Sequence, residues 1–232
     1  MEEILIDKTF ATSYSKITSG EEIISPKGSG TLGMFGQLNG FPVAVTGGHV
    51  IEEGQLAQFH IHGECVNFGA CIWPLVAECQ THIPDIAVIE IDKNIMNKIS
   101  YRIGNNVTIH TRKLLELKNR KVFKYGATTN LTHGYVEDID SMSLFESTDV
   151  ALVAHEDDDK NFAKEGDSGA IVLTKFNDQH FAIGVVYGGG LNPRNSPKTV
   201  SPKTSVIVSL NHAIQRFKEG YENCQVLSLD SL

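Results

Sequence analysis

Gly166-Asp167-Ser168-Gly169-Ala170-Ile171-Val172-Leu173-Thr174 sets a serine in a tight, glycine-flanked turn and follows it at once with β-branched and apolar residues. The run from Ala170 to Thr174 is too short for a helix and has the composition of a buried strand. The same pattern recurs in both directions. Short apolar runs occur at Phe41 to Thr46, Ile86 to Ile91, Val107 to His110, Ala151 to Ala154, Phe181 to Tyr187 and Ser205 to Val208. Glycine turns separate them at Gly28-Ser29-Gly30, Gly36, Asn39-Gly40, Gly47-Gly48, Gly104, Gly126, Gly134 and Gly188-Gly189-Gly190. This rhythm predicts an all-β sandwich or barrel and argues against alternating βαβ units.

Two stretches depart from the strand pattern. Asn94 to Ser100 reads as a single helical turn. Leu210 to Tyr221 spaces Leu210, Ala213, Ile214 and Phe217 by three and four, one face of an amphipathic helix expected over 209–223. Six of the ten residues from Arg112 to Lys121 are charged, which places a linker over 113–119. The expected layout is an N-terminal barrel over 1–112, a second barrel over 120–208, the helix, and a tail over 224–232. Pro193 to Pro202 reads as a surface loop.

At 232 residues the chain is long enough for one large β domain or two small ones. It has no apolar run near the roughly 18 residues a membrane helix requires. With 28 acidic against 20 basic side chains its net charge is −8, which makes sequence-independent nucleic-acid binding a poor fit. Cys65, Cys71, Cys79 and Cys224 form no CxxC pair and read as buried small hydrophobes. The opening Met-Glu-Glu-Ile-Leu-Ile-Asp-Lys has neither a basic n-region nor a long apolar h-region. A reducing cytoplasm is the expected compartment, with secretion the alternative.

Three motifs carry chemistry, and their order matters. Thr46-Gly47-Gly48-His49-Val50 puts a histidine after a strand, Pro84-Asp85-Ile86-Ala87-Val88 starts a strand with an aspartate, and the Ser168 turn follows. These are the ingredients of acyl transfer: Ser168 as nucleophile, His49 as base, Asp85 orienting the imidazole. A glycine-permitted turn can aim the Gly166 and Ser168 N–H groups at the developing oxyanion, worth about 3 kcal/mol per donor. No metal or organic cofactor is required.

Taken together these residues resemble the chymotrypsin/trypsin-like serine peptidases, in an HtrA-like or bacterial trypsin-like branch without a PDZ domain. The chain order His, Asp, Ser is the same. Tyr125-Gly126-Ala127-Thr128-Thr129 with Gly134-Tyr135-Val136 looks like the hairpin opening the family's second barrel, and Ile183 to Gly188 looks like the strand beside the substrate. The resemblance implies two antiparallel Greek-key β-barrels with a C-terminal α-helix, the site in the cleft between them. It implies a serine endopeptidase acting on a polypeptide substrate. It also implies a specificity pocket with Phe162, six residues before the nucleophile, at its base and with Tyr187 and Gly188 as a wall. No acidic residue stands at that base, so cleavage after Lys or Arg is not the expectation, although Glu156 to Asp159 supplies four carboxylates nearby.

Departures from the family are specific. Val50 stands where secreted members place a cysteine after the histidine. No Ile-Val-Gly-Gly type N-terminus is present to pair with Asp167, so a constitutively or ligand-formed site is expected. Other readings stay open. The chain could be a catalytically silent peptidase-fold scaffold, an α/β-hydrolase using His180 or His212 after the serine, or a site that needs a regulatory protein partner. His60, His62 and Cys65 lack the fourth ligand and closing spacing of a zinc site. Glu156 to Asp159 does not fit a calcium loop and reads as a solvated turn.

Overall fold

The computed structural model describes residues 16–61, 63–74, 85–100, 107–138, 150–189, 204–220 and 227–228. The strands are β1 (Ile17–Thr18), β2 (Glu22–Ser25), β3 (Gly28–Thr31), β4 (Met34–Leu38), β5 (Phe41–Thr46), β6 (Leu56–Ile61), β7 (Glu64–Trp73), β8 (Ala87–Ile91), β9 (Ile99–Ser100) and β10 (Val107–Ile109). They continue as β11 (Lys121–Gly126), β12 (Asn130–Asp138), β13 (Val150–His155), β14 (Ile171–Phe176), β15 (Gln179–Gly188), β16 (Ser205–Ser209) and β17 (Leu227–Ser228), with one α-helix, α1 (Leu210–Gly220).

The first sheet runs β17-β4-β5-β8-β7-β6-β2-β3. The second runs β15-β14-β11-β12-β13-β16, and β16 pairs back with β15 to close a six-stranded barrel, to which β10 adds. The expected all-β, double-barrel architecture is the one observed, with one difference. Only the second unit closes. The first is a half-barrel among the described residues, because the end of β3 turns its backbone toward the second unit, where the Thr31 N–H donates to the Ser168 carbonyl at 2.7 Å. All ladders but β1–β9 and β10–β15 are antiparallel, and α1 is the single α-helix among the described residues. That excludes the α/β-hydrolase reading, which needs a parallel sheet with crossover helices. No helix among the described residues is long and apolar enough to cross a membrane.

Each sheet has its own apolar filling, and a third core joins them. Ile23, Phe35, Ala44, Phe59, Phe68 and Ile89 lie inside the first sheet, while Val122, Val136, Phe162, Val172 and Ile207 fill the barrel. Between them Met34, Val43, Val45, Trp73 and Val88 meet Ile171, Leu173, Ala182 and Val185. The helix seals this seam with the face that its sequence spacing marks: Leu210, Ala213, Ile214 and Phe217 are its buried residues. The Phe217 ring stands edge-on to Trp73, centroids 5.5 Å apart.

The unit boundaries differ from the expected ones. Val107–Ile109, assigned to the first barrel by a boundary at 112, pairs parallel with β15, because Val107 and Ile109 pack on the shared core. The interval 113–119 is no linker. Leu114–Leu117 forms a 3₁₀ turn, in which residues three apart share a face, so Leu114 and Leu117 plug the barrel core while the charges point outward. The tail is not separate either, since Leu227 and Ser228 pair with Leu38 and Gln37 of the first sheet. The expected turn at 94–100 is a 3₁₀ turn over Lys93–Lys98 capped by the Asp92 carboxylate. Cys71 is buried, as expected, but Cys65 is exposed at the rim of the β6–β7 hairpin, where its thiol donates to Gln58 Oε1. Cys79, Cys224, His62, His82 and the 193–202 loop lie outside the described residues.

Truncating Phe217 to Ala removes the aromatic contact that ties the helix to Trp73 and opens a cavity in the seam. The expected cost is about 3–5 kcal/mol in urea unfolding. A loss below 1 kcal/mol would show that the helix does not hold the two units together.

Candidate active site

Strand pairing brings His49 and Asp85 together. Thr46 at the end of β5 faces Ala87 at the start of β8, so the residues just past one strand and just before the other are neighbours. The Asp85 carboxylate grips His49 twice: Oδ1 accepts the His49 backbone N–H at 2.8 Å, and Oδ2 lies 2.6 Å from Nδ1. Gly48 leaves room between them, since a Cβ there would stand 3.2 Å from Asp85 Oδ1 and 3.0 Å from the Ile86 carbonyl oxygen. The hydrogen bond to Asp85 raises the His49 pKa above the ordinary 6.5, with the Asp85 charge adding to it while burial and the Lys27 charge oppose.

Ser168 reaches the same place from the second unit. The Gly169 N–H donates to the Val186 carbonyl and the Val186 N–H to Ala170, which lays the serine turn along the end of β15. The Ser168 hydroxyl donates to the Tyr187 carbonyl at 3.2 Å, and the Tyr187 ring packs against the His49 imidazole with centroids 5.4 Å apart. Burial, and behind it the Asp85 charge, pushes the Tyr187 phenol above its ordinary pKa. An ideal Cβ on Gly47 would lie 3.4 Å from both His49 Cε1 and the Gly169 nitrogen, so the histidine loop and the serine turn are adjacent. Gly169 has φ +95°, and a side chain there would collide with Thr46 Oγ1, the Thr31 carbonyl oxygen at 2.5 Å and Gly47 N at 2.6 Å.

The turn itself is held from two sides. Thr31 bridges the sheets: its N–H donates to Ser168 O, its hydroxyl donates to Gly166 O at 2.8 Å and accepts from Ala127 N at 3.0 Å. Beneath it, Asp167 is fully buried and forms an ion pair with Lys124, Nζ to Oδ2 3.2 Å, both side chains without exposure. The Asp167 carboxylate also accepts from the N–H groups of Thr128, Thr129 and Lys164 and from the Thr129 hydroxyl at 2.7 Å. Burial pushes Asp167 up, yet the Lys124 charge and these donors outweigh it and hold the carboxyl below its ordinary range. Burial lowers Lys124 despite the opposing pull of Asp167. The N–H groups of Asp167, Gly169 and Ala170 donate to backbone carbonyls, whereas those of Gly166 and Ser168 have no such acceptor among the described residues.

His49, Asp85, Ser168, Gly166 and Tyr187 are therefore brought together where the two units meet, and Gly188 follows Tyr187. Phe162 does not join them. Its ring is fully buried in the barrel core, because the Thr132 hydroxyl ties the Phe162 carbonyl at 2.8 Å and the chain turns the side chain inward. The Phe162 side chain is thus part of the barrel core. The acidic run is the solvated turn expected, with Glu156 on Lys121 and Asp157 on Lys160. His60 and Cys65 face each other across β6 and β7, and both are exposed. The sequence reading missed Lys124 and Thr31. The signal for Lys124 was available: Val122, Lys124 and Gly126 alternate onto the inward face of β11, so a lysine there needs a buried partner.

This fold is that of the chymotrypsin-like serine peptidases. A sequence model of peptidase family S64 matches residues 55–191, more than half of the chain, and the chain belongs to that family. The match takes in Asp85 and Ser168 and begins just after His49. The fold is similar to Thermobifida fusca protease A (16% identity, 87% of this chain and 96% of that one, TM-score 0.56). It is also similar to an α-lytic protease homologue, N4 (18% identity, 92% and 99%, TM-score 0.58), and to a glutamic acid-specific serine protease (12% identity, 91% and 99%, TM-score 0.58). Likeness to the HtrA-like branch rests on the sequence motifs alone.

Replacing Lys124 by Met strands the Asp167 carboxylate under the serine turn and is expected to cost about 3–5 kcal/mol of stability in denaturant unfolding. Adding Asp167→Asn should recover part of the loss, since no buried charge then lacks a partner. Equal stability of wild type and Lys124→Met would remove the pair as the support of the turn.

Proposed function

We propose that this chain is a serine endopeptidase that cleaves peptide bonds through an acyl-enzyme, with Ser168 as nucleophile, His49 as general base and Asp85 as the carboxylate that orients and stabilises the imidazolium. The observation that carries this reading is the 2.6 Å contact of His49 Nδ1 with Asp85 Oδ2. With Nδ1–H committed to the carboxylate, Nε2 is the ring nitrogen left to accept the serine proton. The Ser168 hydroxyl rests on the Tyr187 carbonyl, and the ring of the same tyrosine packs against the His49 imidazole, so the serine and the histidine share one neighbour across which the proton transfer is assigned. Attack then moves the Ser168 proton to His49 and puts negative charge on the former carbonyl oxygen. The N–H groups of Gly166 and Ser168 are the donors we assign to it. His49 returns the proton to the leaving amine, and a water activated by His49 hydrolyses the ester.

The Lys124–Asp167 pair supports a site formed without a freed N-terminal amine, because Asp167 already has an internal cation. We also assign the protein to a reducing compartment, which is consistent with Val50 packing as a buried apolar side chain directly after His49.

Labelling with a fluorophosphonate tests the assignment. Wild type should form an adduct that Ser168→Ala abolishes and His49→Ala slows, whereas a scaffold would give no Ser168-dependent adduct. Asp85→Asn should lower kcat by on the order of 10⁴-fold. Since His49 must be neutral to act as base and its pKa is raised, kcat/KM should fall on acidification through a pKa above 6.5. An acid limb at or below that of an ordinary histidine would contradict the Asp85 assignment.

A further inference from the structure

A scissile carbonyl held between Ser168 and the Gly166 and Ser168 amides puts the residue on its acyl side next to Tyr187, whose carbonyl lies 3.2 Å from the Ser168 hydroxyl. On the peptidase reading, the side chain of that residue enters between two stretches of backbone: the Phe162–Lys164 segment before the turn, and the end of β15 at Tyr187–Gly189. To hold a flat or branched side chain between them, the two backbones must stand about 7 Å apart, twice an ordinary van der Waals contact. Here they touch. A Cβ built on Gly189 would run into the Ala163 carbonyl group and come within 3.0 Å of Lys164 N, so only glycine permits this approach.

The depth of the slot is filled as well. Gly188 pairs with Val206, which brings Ser205 alongside, and the fully buried Ser205 hydroxyl accepts the Ala163 N–H at 3.0 Å. The Phe162–Lys164 wall cannot swing away freely. The Phe162 ring is locked in the barrel core, its carbonyl is bound by Thr132, and the Lys164 N–H is bound by Asp167 at 2.9 Å. Opening the slot would break the hydrogen bond between the Ala163 amide and the Ser205 hydroxyl.

We propose, on the basis of the peptidase reading above, that this site selects substrates with a small uncharged residue, Gly, Ala or Ser, on the acyl side of the scissile bond, and that Ser205 and Gly189 set this limit. The Phe162 ring packs in the barrel core, and the buried Asp167 carboxylate is paired with Lys124. A long, aromatic or charged side chain has neither volume nor a partner there.

Kinetics on a peptide library varied at that position, run beside fluorophosphonate labelling of Ser168, separates this proposal from the reading beneath it. The expected result is labelling together with kcat/KM on Gly, Ala or Ser substrates on the order of 10²-fold above Phe, Leu, Lys or Glu substrates. Labelling with a preference for a large or charged residue, or with no cleavage of any library member, overturns the proposed selection of small residues and leaves the nucleophile assignment standing. Absence of Ser168-dependent labelling overturns both. Ser205→Gly removes the bridging hydroxyl and should raise the relative rate on Leu and Phe substrates at least tenfold; a ranking unchanged from wild type in a folded, labelled Ser205→Gly variant counts against the role of Ser205.

Discussion

The serine turn depends on one buried interaction, the ion pair of Lys124 with Asp167. An isolated charge in a barrel interior is expensive, and two of them are tolerated when they pair and further hydrogen bonds support each of them. That condition is met. Lys124 also donates to the Thr129 hydroxyl, and Asp167 collects donors from Thr128, Thr129 and Lys164, so the carboxylate is fixed at the centre of a small polar cage. The next residue is Ser168. Its position is then set by the barrel interior rather than by the flexible surface around it. Gly126 is part of the same constraint, because a Cβ there would strike the Asp167 carboxylate and lie 2.7 Å from Lys124 Nζ.

From that fixed point the two units are brought into register. Thr31 spans the gap with both its backbone and its hydroxyl, and Thr46 in turn donates to the Thr31 carbonyl at 2.7 Å. Thr46 ends the strand that leads to His49. A continuous chain of short hydrogen bonds thus runs from the barrel cage, through the serine turn and β3, to the strand that carries the histidine. The helix and the apolar seam hold the units together in bulk, while these few polar contacts set their alignment at the cleft. Non-directional burial can join two sheets, but only directional bonds fix where a hydroxyl sits relative to an imidazole.

Substrate selection has the same origin. The walls beside Ser168 are backbone, and they close on each other because Gly189 has no side chain and Ser205 bridges to Ala163. The same anchoring that steadies the serine turn through Lys164 also prevents the slot from widening. The proposed catalytic geometry and the proposed limit on substrate size therefore trace to one segment.

Much of this was legible in the sequence, because periodicity and turn chemistry are local. The strand runs, the helix face at Leu210, Ala213, Ile214 and Phe217, and the ordered His49, Asp85 and Ser168 motifs all follow from side-chain spacing and glycine placement. What was missed is relational. The charges of 112–121 suggested a linker, yet Leu114 and Leu117 on a 3₁₀ turn are barrel core, and Val107 to Ile109 joined the second sheet because of a partner strand some seventy residues away. Phe162 counted correctly from the serine but turned inward, since distance along the chain does not say which way a side chain faces. The sequence by itself determined which residues we assign to the chemistry. The tertiary structure alone decided that Lys124 is the partner of Asp167, that Thr31 aligns the cleft and that Gly189 and Ser205 shut the slot, because each of these is a contact between segments that no local pattern can pair.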